Sequence, residues 1–208
     1  MSKASKKVYI LNYGINNIKS LYSAFIKVDA KPTIINEWSD IKDSNYLVLP
    51  GVGAFSTGID NLKRLGYYDE ILNHKMKNKP LLGICLGMQM LFEESEEFGN
   101  HEGIGLIKGK VKMLPNDTDM KLPNVGWYSL KFEKDVANSN EIDNNAKFYF
   151  NHGYFCEPKE KNIVLSSSNY GKFKFCSSFR DGNIMGTQFH PEKSGTNGLN
   201  FLKFFINN

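Results

Sequence analysis

The stretch Leu81-Leu-Gly-Ile-Cys-Leu-Gly-Met-Gln-Met-Leu91 sets a cysteine between two glycines, Gly83 and Gly87, where an apolar strand should hand over to a helix. Packing alone would favour Val, Ile or Ala at the central position. Glycine weakens strands and helices alike, so a pair of them around one thiol costs stability unless the backbone requires it. A nucleophile on a sharp strand-to-helix turn supplies that requirement, because small neighbours let its side chain stand clear of the sheet. A helix starting at Leu86 would favour a thiolate at Cys85 through its N-terminal dipole, and its free N–H groups would hold a developing oxyanion. A buried structural thiol, the ordinary reading of a lone cysteine, leaves both glycines unexplained.

The fold follows outward from this stretch. Lys7-Val-Tyr-Ile-Leu-Asn12 reads as a buried strand ended by Tyr13-Gly14, and Ile18, Leu21, Tyr22 and Phe25 recur at helical spacing. Pro32 to Ile35 and Tyr46 to Leu49 are β-rich runs, the second stopped by Pro50-Gly51. One helix is predicted through Leu62, Leu65 and Ile71, then a strand from Pro80 to Ile84, then a helix that carries Met88, Leu91 and Phe92. Such alternation predicts an α/β fold, a mostly parallel central sheet flanked by helices. From Gly105 to His190 the period changes to two, with Asn, Asp and Gly turns, which predicts an antiparallel β extension in the second half. Arg180-Asp-Gly-Asn183 between two β-rich runs is a hairpin signal. Leu199, Leu202 and Phe205 suggest a closing helix, and with no repeat or Pro/Ser-rich linker residues 1–208 read as a single domain.

Composition removes several function classes. With 41% hydrophobic residues in 208, the chain is globular and able to bury a full core. No apolar run is long enough for a bilayer, and the start lacks a signal-peptide core, so a cytoplasmic location is expected. Three cysteines in such a chain argue against a disulfide framework. The net charge is only +4 and the sole arginines are Arg64 and Arg180, a poor composition for nucleic-acid reading. No His/Cys cluster has metal-ligand spacing, so neither a metal nor another cofactor is expected.

A cysteine nucleophile works with an imidazole that takes and returns a proton. Of four histidines, His74 sits on a Lys-rich helix and is expected to face solvent, and His101 lies in a polar loop. His152 and His190 both follow apolar strands. His190 has the stronger context, Gln188-Phe-His-Pro-Glu192, in which Pro191 is expected to keep the chain extended. Residues two apart then share a side, and Glu192 can hold the His190 ring in the useful tautomer. Leu49-Pro-Gly-Val-Gly-Ala-Phe55 ends a parallel strand on the edge where α/β proteins place their sites. Its Gly51–Val52 peptide can supply a second oxyanion donor beside Leu86.

Taken together, Gly83-Ile-Cys-Leu-Gly-Met-Gln89, Pro50-Gly-Val-Gly53 and Phe189-His-Pro-Glu-Lys193 resemble the class I (triad-type) glutamine amidotransferases. Pro50-Gly-Val-Gly-Ala-Phe55 and Phe92-Glu-Glu-Ser-Glu-Glu97 are similar, more narrowly, to the glutaminase subunits of imidazole glycerol phosphate synthases from histidine biosynthesis. The resemblance implies a Cys85–His190–Glu192 triad that hydrolyses L-glutamine, with Gln89 and Glu97 binding the substrate. It also implies a heterodimer in which ammonia passes to a (β/α)8-barrel cyclase, with Trp127, Tyr149 and Lys193 near the interface. Core packing is the alternative reading of Trp127 and Tyr149. Two departures stand out: Asn124-Val-Gly-Trp-Tyr128 differs from the family at both flanking positions, and Asn16 falls where the family favours glycine. Read as changes at partner-facing or regulatory positions, these keep open an alternative acceptor, a sugar-modifying synthetase of surface-glycan biosynthesis.

Overall fold

The computed structural model describes residues 5–14, 18–40, 46–116, 121–133 and 146–207; Asn16 lies outside them. Strands β1 (Lys7–Leu11), β2 (Lys31–Ile35), β3 (Tyr46–Leu49) and β4 (Leu81–Ile84) alternate with helices α1 (Ile18–Lys27), α2 (Phe55–Arg64) and α3 (Tyr67–Met76). A short α4 (Leu86–Met90) follows β4. Ten strands come next: β5 (Phe92–Ser95), β6 (His101–Glu102), β7 (Ile107–Met113), β8 (Asn124–Ser129), β9 (Lys131–Phe132), β10 (Lys147–His152), β11 (Tyr154–Pro158), β12 (Val164–Tyr170), β13 (Phe173–Asp181) and β14 (Ile184–Thr187). Helix α5 (Gly195–Asn207) closes the described chain.

The central sheet has the order β2-β1-β3-β4-β14-β13-β12-β9. Its first five strands are mutually parallel and its last three antiparallel, so the expected parallel sheet with an antiparallel extension is what the chain forms. The hairpin at Arg180–Asn183 joins β13 to β14 through Gly182, whose φ of 56° lies in the left-handed region. Four strands, β11-β7-β5-β6, form a second sheet, and β8 pairs with β10 in a separate ribbon.

Because β1, β3 and β4 are buried on both faces, alternate residues feed two cores. Val8, Ile10, Val48, Leu82 and Ile84 pack towards α1 and α5 with Phe25, Phe201 and Phe205. Tyr9, Leu11, Leu47, Leu49 and Leu81 pack towards α2, α3 and α4 with Phe55, Leu62 and Ile71.

Two predicted helices differ in the structure. The helix expected through Leu62, Leu65 and Ile71 is interrupted at Leu65–Gly66, where Gly66 takes φ 71° and opens α3 as a separate element. The helix expected to carry Met88, Leu91 and Phe92 stops at Met90, and Phe92 begins β5. Pairing with β7 captures that segment: Glu94 meets Lys110 at 2.5 Å, Glu93 Oε2 accepts the Gly109 N–H at 2.9 Å, and Phe92 packs edge-on against Phe179. With so few aligned peptides in α4, the dipole assigned to it from the sequence is smaller than that of a full helix.

The glycines flanking Cys85 are now explained by close backbone approach. A Cβ on Gly87 would lie 1.8 Å from the Leu49 carbonyl oxygen, and one on Gly83 would lie 2.8 Å from the Gly87 oxygen and from Met88 Cα. Helix α4 therefore rests directly on the ends of β3 and β4. The residue carrying the sharp turn is Cys85 itself, at φ 54° and ψ −110°, a conformation that L-residues adopt at a cost.

Candidate active site

Three neighbouring parallel strands, β3, β4 and β14, end on one edge, and the residues just beyond them build the site. These are Pro50–Gly53, Cys85, and Gln188 with His190. The Cys85 N–H donates to the Thr187 carbonyl at 2.7 Å, which ties the cysteine turn to the neighbouring strand end.

His190 and Glu192 form a buried pair, Nδ1 to Oε1 at 3.0 Å, with side chains only 3% and 4% exposed. That bond leaves Nε2 as the ring nitrogen available to the sulfur. Burial works against a charged ring here, yet the Cys85 sulfur, through charge and hydrogen bonding, and then Glu192 outweigh it and raise the His190 pKa to about 10. Both neighbours thus favour the protonated ring. The expected extended chain after His190 is instead a 3-10 turn, Pro191–Lys193. Proline suits the first position of such a turn because its φ is preset and its missing N–H is not needed. Ser194 Oγ donates to the His190 carbonyl at 2.6 Å and accepts the Tyr149 N–H at 3.0 Å, while the His190 N–H donates to the Tyr149 carbonyl at 2.9 Å. The histidine is thus held from both sides of its backbone.

The glycine loop lies against the cysteine turn with its carbonyl inward. The Leu86 N–H donates to the Gly51 carbonyl at 3.4 Å, and the Tyr13 hydroxyl donates to the Pro50 carbonyl. A Cβ at Gly51 would meet Tyr13 Oη at 2.7 Å and Leu86 Cβ at 2.9 Å, so this close approach also demands glycine. Leu86 and Val52 are both at the site, but the Leu86 donor is engaged by the loop in this structure.

Gln89 is buried, and its Nε2 donates to the Tyr154 carbonyl at 3.0 Å and to Gln188 Oε1 at 3.1 Å. Glu97 accepts the Phe55 N–H at the start of α2, a helix whose own N-cap, Ala54, offers no side-chain bond. Burial raises the Glu97 pKa, opposed by the Phe55 N–H and by His101.

Trp127 is 51% exposed, which excludes the core-packing reading for it. Its ring meets Tyr149 edge-on at 5.9 Å, Lys193 Nζ lies 5.6 Å from the Tyr149 ring centroid, and the Tyr149 and His190 rings are 6.3 Å apart. Exposed Val125 and Trp127 sit opposite Asn151 and Tyr149 on one face of the β8–β10 ribbon, so an exposed aromatic face backs onto the site.

Asn124 is not on that face. Alternation along β8 turns it inward, where it is 1% exposed and its Nδ2 donates to His152 Nε2 at 3.0 Å. Tyr128 likewise turns to the half-buried side and packs edge-on to Phe150. The departure at Asn124 is therefore not partner-facing. His74 also departs from expectation. It continues the Tyr67–Ile71 stripe of α3 into the core, 4% exposed, with Nε2 bonded to the Pro80 carbonyl at 3.0 Å.

His152 has both ring nitrogens occupied, since Nδ1 also donates to the Tyr154 carbonyl at 2.8 Å. Burial, with the charge of His190 adding to it and the Tyr154 bond opposing, lowers its pKa from 6.5 to about 4. The unfolded chain therefore binds this proton near pH 6.5 and the folded chain only near pH 4, so stability falls as pH drops through that window. His190 works in the opposite sense near pH 6.5, where the unfolded ring takes its proton and the folded ring already holds it, and it is present in both proteins compared below. The effect of His152 should total about 3 kcal/mol. Denaturant titrations of wild type and His152→Leu between pH 7 and pH 4 check this: the variant should lose less stability by about that amount. Parallel curves would assign the acid sensitivity to another group.

Sequence reasoning passed over Gln188, whose Nε2 lies 3.7 Å from Cys85 Sγ. Its signal was available, because residues 188 and 190 share a side in extended chain.

The family model for class-I glutamine amidotransferases matches residues 9–208. The chain belongs to this family. Among curated relatives of this amidotransferase, the imidazole glycerol phosphate synthase subunit HisH of Syntrophotalea carbinolica is 37% identical over 203 residues, covering 95% of this chain and 98% of that one. The same-named subunit of Aquifex aeolicus is 38% identical, covering 96% and 95%. A crystal structure of a glutamine amidotransferase superimposes with a TM-score of 0.76 at 15% identity, over 96% of this chain and 97% of that one. PurLQS from Thermotoga maritima gives 0.71 at 20% identity, over 98% of each chain, and these two likenesses establish the amidotransferase fold. No helix among the described residues of this amidotransferase is long and apolar enough to cross a membrane.

Proposed function

We propose that this chain is the glutaminase subunit of an imidazole glycerol phosphate synthase, a single cytoplasmic domain spanning residues 1–208 that needs no cofactor. The observation that carries this reading is the buried pair of His190 with Glu192 on the strand edge that carries Cys85, in a chain whose relatives share that subunit name over nearly their whole length.

In the proposed reaction the Cys85 sulfur attacks the side-chain carboxamide carbon of glutamine, and the carbonyl π-electrons move onto oxygen. The Leu86 N–H and the Val52 N–H stabilise that oxyanion once the Gly51–Val52 peptide turns. His190 then gives its proton to the departing nitrogen, ammonia leaves, and a thioester remains. Water, deprotonated by His190, attacks the thioester, and glutamate leaves as the thiol is restored. Glu192 keeps the ring oriented throughout. Gln89 contacts the substrate, and Glu97 is assigned to its ammonium group. Ammonia in neutral water is largely ammonium and not nucleophilic, so the product is handed directly to the barrel cyclase across the Trp127, Tyr149 and Lys193 face.

Because the Gly51 carbonyl occupies the Leu86 N–H, the isolated chain should be a slow glutaminase. The lost donor corresponds to a rate roughly a hundredfold below that of the assembled site. Glutamate release by the chain alone, and mixed with a barrel cyclase subunit and its acceptor ligand, tests this. Acceleration of about that size is expected. Equal rates in both mixtures would point to a free-standing hydrolase.

A further inference from the structure

A buried hydrogen-bonded chain ends on the reacting sulfur. Gln89 Nε2 faces two oxygens, the Tyr154 carbonyl at 3.0 Å and Gln188 Oε1 at 3.1 Å, and a peptide carbonyl can only accept. Gln89 must therefore present its NH2 here, and Gln188 must present its oxygen in return. A reversed Gln188 amide would set NH2 against NH2. The remaining end of the Gln188 amide, Nε2, is thereby aimed at Cys85 Sγ, 3.7 Å away. Gln188 is fully buried, and its backbone N–H is anchored to the Ser177 carbonyl at 2.9 Å.

The sulfur has a neighbour of opposite effect. The Asn151 carbonyl lies 3.8 Å from Sγ, accepting from the thiol, and it would repel a thiolate. Opposite demands thus meet at one atom, and the amide N–H of Gln188 is the side-chain group that favours the negative sulfur alongside the imidazolium.

We propose that Gln188 is a catalytic residue of the glutaminase reaction: its Nε2–H donates to the Cys85 thiolate against the Asn151 carbonyl, and Gln89 is the positioning residue that fixes the direction of that amide. This rests on the reading of Cys85 as the nucleophile. The hydrogen bond holds the sulfur until the S–C bond forms and the charge moves to the carboxamide oxygen. No other atom is transferred.

The test is the pH dependence of Cys85 alkylation by iodoacetamide, with the adduct located by mass spectrometry, in wild type, Gln188→Met and Gln188→Glu. Losing a charge-assisted hydrogen bond is worth roughly a tenfold or larger change in thiolate population. The Met variant should therefore show its alkylation curve displaced to higher pH by about one unit. Its rate at the alkaline plateau should rise about threefold, because a thiolate freed from its donor is intrinsically more nucleophilic. Gln188→Glu keeps the length and shape of the side chain and carries the same test if the Met variant does not fold; its displacement should be larger, since a carboxylate repels the sulfur. Curves that coincide with wild type in both variants overturn the proposal. So does a uniform loss of rate at every pH, which is the mark of a merely structural residue. A wild-type protein that gives no selective adduct at Cys85, or a Cys85→Ala variant that still hydrolyses glutamine, overturns instead the nucleophile reading beneath it.

Discussion

Replacing Cys85 with alanine should lower glutamine hydrolysis more than about a thousandfold, to the level that binding and the oxyanion site alone supply. Without sulfur there is no thioester, and the His190 imidazolium is poorly suited to activating water for direct attack on an amide. The protein should remain folded, because the cysteine side chain is small and Ala adds no atom. It should also still bind the proposed cyclase partner, because Trp127, Tyr149 and Lys193, the proposed interface residues, lie on the β8–β10 ribbon and the turn after His190, not on the cysteine turn. A glutaminase assay paired with calorimetric titration of the cyclase subunit reads both quantities. Turnover near wild type would remove Cys85 from the chemistry, and lost binding would mean that the cysteine turn shapes the interface. The buried pair of His190 with Glu192 on the strand edge that carries Cys85 also argues against an idle homologue kept only for binding, since burying an imidazole–carboxylate pair beside a thiol is costly without a chemical use.

Gly87→Ala should be the most damaging single-methyl change near the site. The new Cβ would sit 1.8 Å from the Leu49 carbonyl oxygen and 2.8 Å from its carbon, both backbone atoms of a central strand. Neither can move without displacing β3 or α4. Overpacking of this kind should cost about 3 kcal/mol or more. In a chain of this size that corresponds to a fall in Tm of roughly 10 °C. Glutaminase activity should fall with it, because Pro50–Gly53 follows directly on Leu49. Gly153→Ala is the matched control: nothing lies within 4 Å of a Cβ there. Its melting temperature should stay within a degree or two of wild type. If Gly87→Ala melts with the control, close approach does not explain the glycine.

Several elements were legible because one local cause dominates each. The runs at β1, β3 and β4 are short, continuous and apolar, as strands buried on both faces must be, and α1 and α5 carry a single apolar stripe. Arg180-Asp-Gly-Asn183 holds its own turn chemistry. Other elements depend on neighbours far away in the chain. Phe92 continues a helical apolar pattern, yet β7 recruits it into a sheet through Glu93 and Glu94. His74 lies among lysines, but helical spacing from Tyr67 and Ile71 turns it inward to the Pro80 carbonyl.

The same division runs through the site. Residue types and their order along the chain were enough to name a cysteine turn, a histidine followed by a carboxylate, and a glycine loop, because each is a local demand on backbone or side chain. Which way the Gly51 carbonyl points and that Gln188 reaches the sulfur were decided only when the ends of β3, β4 and β14 met, and which side of β8 Asn124 occupies only when β8 paired with β10. Hydrogen-bond direction and local charge depend on what lies a few ångströms away in space, and neighbours such as residues 85, 151 and 188 are set side by side by the packing of the central sheet against the β8–β10 ribbon, not by sequence.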